Sequence, residues 1–104
     1  MKAEQTATLV VRSKGAPTVE IDTETSAAYV RFTHAKVAKT VRHGSKWPIV
    51  TIDLDARREV VGVEFVGVKR FDLSYLLNLV PLKASTRTIA QVSYVSAEAD
   101  PVAA

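Results

Sequence analysis

Carboxylates at Asp22, Glu24, Asp53, Asp55 and Glu64 offer the hard oxygen ligands that magnesium or calcium prefers. If hairpins gathered them at one sheet edge, Asp22, Asp53 and Asp55 would make a metal-dependent site. Their spacing is not that of an ordered calcium loop. Asp53 and Asp55 stand two apart, so on a strand they share a face, and the plain reading is a solvated face opposite Ile52 and Leu54. His34 and His43 lie nine apart and lack the His pair with an intervening Glu found in zinc hydrolases. Both are expected at the surface. The chain has no cysteine, which removes disulfides, thiolate metal sites and thiol nucleophiles together. Its four glycines are scattered, giving no phosphate loop, and no serine sits in a nucleophile elbow. The expectation is a protein with no catalytic residue, no metal site and no cofactor.

The basic groups are more suggestive. Arg31, Lys36, Lys39, Arg42 and Lys46 follow one another without a single acid, beside His34, His43 and Trp47. Such a ribbon would touch phosphates and stack a base on the indole. Strand alternation places Lys36 and Arg42 on one face and Lys39 on the other. Lysines also discourage the edge-to-edge pairing of an outer strand, which is the simpler explanation of this run. A formal charge of +3 and a pI near 9.4 permit nucleic-acid contact without demanding it.

These groups must be positioned by strands. At 104 residues, 47% of them hydrophobic and 24% charged, the chain has the size and apolar content of a single domain, residues 1–104, with loose ends at about 1–6 and 96–104. No run is long enough to span a bilayer, and the first residues lack the apolar stretch of a signal peptide. A cytoplasmic location is the expectation. Alternation between Ile49 and Val66 predicts a β-hairpin: Val50, Ile52 and Leu54 share one face, and Val61, Val63 and Phe65 share one face of the returning strand. Further strands are expected at 7–12, 18–22, 27–33, 37–43 and 86–95. The period then changes, because Leu73, Leu76, Leu77 and Val80 fall on one helical stripe. This predicts a short helix over about 72–80, capped by Asp72, stopped by Pro81 and too short to stand alone. Tyr75 and Leu79 lie off that stripe and offer apolar surface for an interface. The fold class is therefore α+β: a largely antiparallel sheet of five or six strands built from hairpins, with one helix packed on it.

Two segments carry a family resemblance. Ile21-Asp-Thr-Glu-Thr-Ser-Ala-Ala-Tyr-Val-Arg-Phe32 resembles the opening hairpin of the bacterial domain-of-unknown-function family 2283. Ile52-Asp-Leu-Asp-Ala-Arg-Arg-Glu-Val-Val-Gly-Val-Glu-Phe65 is similar to its closing hairpin, and a lysine-rich strand lies between them. The resemblance covers residues 18–68. It implies small bacterial β-rich proteins and supplies no biochemical activity. Where the family's turn has Gly this chain has Arg58, so a looser loop is expected in place of a tight left-handed turn. Ser26 and Ile21 stand where an aspartate and an aromatic are usual.

Two functions fit these residues. The first is a non-enzymatic interaction module, acting as a homodimer or with a protein partner. The second is a nucleic-acid-binding accessory protein using Arg31, Lys36, Lys39, Arg42 and Lys46.

Overall fold

A computed structural model describes residues 9–11, 15–83 and 89–96. Its elements in chain order are β1 (Leu9–Val10), β2 (Thr18–Asp22), β3 (Ala27–Arg31), β4 (Lys39–His43), β5 (Ile49–Leu54), β6 (Val60–Val66), α1 (Leu73–Leu77), β7 (Leu82–Lys83) and β8 (Ser93–Ser96). Six strands form one sheet in the order β4-β5-β6-β3-β2-β8. All its pairs are antiparallel except β2 with β8. The expected α+β architecture is the one observed.

The hairpin from Ile49 to Val66 is the centre of the sheet. Val50, Ile52 and Leu54 turn to the core opposite Phe65, Val63 and Val60. That last pairing corrects the simple alternation, which puts Val61 in line with Val63. A register shift at Asp53/Leu54 pairs Leu54 with Val60 and Asp53 with Gly62, so Val61 is the extra residue of a β-bulge. Its carbonyl leaves the ladder and accepts the N–H groups of Phe32 (2.9 Å) and Thr33 (3.2 Å). The bulge thereby ties the end of β3 into the hairpin.

The connecting turn is tight, contrary to the looser loop expected from Arg58. Arg58 N–H donates to the Asp55 carbonyl at 2.9 Å, and Asp55 N–H to the Glu59 carbonyl at 2.9 Å. Arg58 itself takes the left-handed conformation, φ 67°, at the position that three-residue hairpin loops reserve for it. Asp55 compensates: its Oδ1 accepts the N–H of Arg57 (2.8 Å) and of Glu59 (2.9 Å), fixing the loop through side-chain bonds. The first hairpin uses the same device, with Asp22 Oδ1 accepting Glu24 N–H at 3.1 Å and Ser26 at φ 55°.

One face of the sheet is covered. Val19, Ala28, Val30, Phe32, Val63 and Phe65 meet Leu73, Leu76 and Val80, with Val11 of the segment after β1 joining them. Burying each large apolar side chain of this cluster contributes about 1.5–3 kcal/mol. β1 and β7 pair in parallel as a small second sheet. The helix is shorter than the predicted 72–80. Asp72 caps it as expected, accepting Tyr75 N–H at 3.3 Å. It ends at Leu77, because Asn78 and Leu79 bond back three residues, to Tyr75 and Leu76, and tighten the last turn.

The expected strand over 86–95 is likewise corrected. Ile89 and Ala90 are helical; Ile89 and Val92 turn back onto the core at a spacing of three, not two. Only Ser93–Ser96 is strand. Of the expected strand 7–12, Leu9 and Val10 are strand; residues 7, 8, 12 and 86–88 lie outside the described residues, as do the expected loose end 1–6 and all of the expected loose end 96–104 except Ser96, which is the last residue of β8 instead. No helix among the described residues is long and apolar enough to cross a membrane.

Candidate functional site

The uncovered face of the sheet carries a polar network centred on Tyr29. Its ring crosses β6 at Gly62, where any Cβ would overlap the phenol. The phenol donates to Asp53 Oδ2 at 2.8 Å, and Thr40 donates to Asp53 Oδ1 at 2.6 Å. The Arg31 guanidinium lies over the ring at 4.9 Å from its centroid and is held by Glu20, Nε to Oε2, at 2.8 Å. Side chains of four strands, β4, β5, β3 and β2, are thus linked across β6. Burial, the Asp53 hydrogen bond and the Asp53 charge all raise the Tyr29 pKa above its ordinary value, so the phenol holds its proton more firmly than a free one. The Glu20 hydrogen bond likewise raises Arg31, keeping it charged. Every polar group here is matched by another, which is what a structural network requires.

The acidic residues do not form one site. Asp22 caps the turn between β2 and β3, and Asp55 caps the turn between β5 and β6. Pairing of Ala27 and Ile49 with Val66, and of Arg31 and Asp53 with Gly62, puts these turns at opposite ends of the sheet. Asp53 is committed to Tyr29 and Thr40, and Glu64 accepts Thr51 at 3.5 Å. No group of three or more potential ligands could hold a metal among the described residues.

A different arrangement lies along β4, one edge of the sheet. Lys39 and Arg42 are exposed on it, with Lys36 exposed before it and Lys46 after it. None of these four makes an ion pair among the described residues. Arg31, the fifth cation of the run, belongs to the inner network and is separated from them. After β4 the chain turns at Gly44, φ 76°, and passes through a cis Trp47–Pro48 peptide. Trp47 lies over Gly67, φ 93°, whose missing Cβ leaves room for the indole. The Gly67 N–H is tied to the Ser26 carbonyl at 2.9 Å. The indole stays 67% exposed. It walls an open groove of about 390 Å³, lined also by His43, Lys46, Pro48, Val50 and Leu79.

The opposite edge is β8. Its four residues are exposed and uncharged, with Tyr94 and Val95 each 46% exposed. Ser93 N–H donates to the Pro17 carbonyl at 3.0 Å. Since backbone direction alternates along a strand, Tyr94 and Ser96 turn their N–H and C=O groups outward. The Tyr94 phenol oxygen accepts the Leu73 N–H at 2.9 Å, anchoring this edge to α1.

Of the two residues expected at an interface, Tyr75 is half-buried against the core with the Arg70 guanidinium over its ring, and Leu79 is half-buried at the Trp47 groove. Arg70 also holds Asp72 through two bonds, at 3.0 and 3.1 Å, and its hydrogen bonds lower the Asp72 pKa. His34 is exposed on the loop after β3, and His43 is half-buried in the groove. Gly62 and Gly67, the residues that decide both aromatic placements, carried no expectation from sequence. The available signal was their type: a glycine inside or just after a strand run marks a close approach of another group. No family model, curated protein or solved structure matches the chain.

Proposed function

We propose that the protein is a non-enzymatic interaction module that pairs with a second copy of itself through β8. One observation carries this reading: β8 is an uncharged edge of four exposed residues whose outward backbone groups belong to Tyr94 and Ser96. An unblunted edge is a template for another strand. A two-fold axis normal to the sheet at Tyr94 sets each Tyr94 against its copy, exchanging both backbone bonds, and sets Ser93 against Val95. Such an interface is self-complementary and closed, as cyclic dimers require. The non-enzymatic part of the reading rests on Asp22, Asp53, Asp55 and Tyr29, each committed to a turn or to the sheet network.

Light scattering across a range of protein concentrations tests it. A dimer is the expected mass, with Val95→Lys a folded monomer by circular dichroism, because a charge at the edge opposes pairing. A clean monomer of the unaltered chain at high concentration overturns the proposal, and so does a dimer that Val95→Lys leaves intact.

A further inference from the structure

We propose a second, independent surface: the β4 edge and the Trp47 groove bind single-stranded nucleic acid, with phosphates along Lys36, Lys39, Arg42 and Lys46 and one unpaired base stacked on the indole. Charge and shape both favour this occupant. The four cations are exposed and have no ion-pair partner among the described residues, and no acid lines the groove into which they lead. Lys39 and Arg42 alternate across the strand, yet on an edge strand both faces flank the same open side, so long side chains from either reach a backbone running along it. Over the three steps from Lys39 to Arg42 that track is roughly 10 Å long.

The platform at its end is preformed. Trp47 is fixed from below by Gly67 while 67% of it faces outward, an arrangement that leaves an aromatic face free for a base. His43 and Lys46 flank that face with hydrogen-bond donors, and Val50 and Leu79 supply the apolar floor. Stacking on an indole requires a base that is not already stacked and paired, which selects a single strand over a duplex. Arg31 takes no part, because Glu20 holds it within the sheet.

Trp47 is the only tryptophan of the chain, so its own fluorescence reports the contact. The full chain is titrated with an oligothymidine at low salt, and quenching of tryptophan emission is expected. The logarithm of affinity should fall against that of salt with a slope of about −2 to −3, the counterion release of four cations on a single strand. Trp47→Ala, read by anisotropy of a labelled oligothymidine, should weaken binding roughly ten-fold, while Trp47→Phe retains most of it. Lys39→Gln with Arg42→Gln should weaken binding and flatten the salt slope; Arg31→Gln should change neither. Four results overturn the proposal: no quenching at low salt, equal affinity for a duplex, binding insensitive to Trp47→Ala, or tighter binding of polyglutamate, which would assign the surface to an acidic protein.

Discussion

Two aromatic rings in this protein lie over glycines of the same strand and its extension, and they end in opposite conditions. Tyr29 crosses Gly62 in the middle of the sheet, where Asp53 accepts its hydrogen bond and Arg31 covers its face. Trp47 crosses Gly67 at the end of the sheet, its indole without a hydrogen bond among the described residues and mostly in water. The same packing device gives a closed network in one place and an open platform in the other. What differs is the surroundings. In mid-sheet, neighbouring strands bring polar partners within reach, whereas beyond the last paired residues only a loop and a groove adjoin the ring. An aromatic held by glycine but left unpartnered is a surface available to another molecule.

The largest effect is expected of Gly67→Ala. The new Cβ overlaps the indole and the residue is forced to keep φ 93°, so a loss of about 2–3 kcal/mol in denaturant unfolding is expected. Tryptophan emission should shift to the red as the ring is displaced; unchanged emission would mean that Gly67 does not seat it. Gly62→Ala comes next, at about 1–2 kcal/mol, because Tyr29 must swing off Asp53. Its cost should vanish when combined with Tyr29→Ala, since alanine is by itself the better strand residue, and a double-mutant cycle measures this coupling.

Tyr29→Phe keeps the ring but removes the phenol, leaving Asp53 with Thr40 alone; about 1 kcal/mol is expected. The same phenol sets a pH dependence. Its folded pKa is raised above the ordinary 10.0, so its contribution is complete below that value and is lost as pH rises further, when the unfolded chain releases the proton more readily. Thermal scans above pH 10.0 should show a decline that Tyr29→Phe reduces; identical declines would refute the linkage. The smallest effect is on the open side. Trp47→Ala, with the indole already 67% exposed, should change stability by less than about 1 kcal/mol, so that a larger loss would mark Trp47 as structural and erase the contrast with Tyr29.

The alternating runs over 49–66, the Asp72 cap and the helical stripe of Leu73 and Leu76 were legible in the sequence because each depends on a local period or on neighbours a few residues away. The basic run was legible too, and so was its place on an outer strand. The bulge at Val61 was not, since nothing in the alternation marks which residue drops out of register until Phe32 and Thr33 arrive to use its carbonyl. Nor was the left-handed Arg58, which Asp55 stabilises from across the turn.

The candidate sites divide in the same way. Residue types alone determined that cations outnumber acids along 31–46 and that no cysteine chemistry exists. Tertiary structure decided that Arg31 leaves the run for Glu20, that Asp53 meets Tyr29 across 24 residues of sequence, that Leu79 joins Trp47 in one groove, and that β8 closes the sheet in parallel on β2. The physical reason is that side-chain direction along a strand follows from a local period of two, while strand order and the placement of a ring over a distant glycine follow from how all the apolar faces bury together.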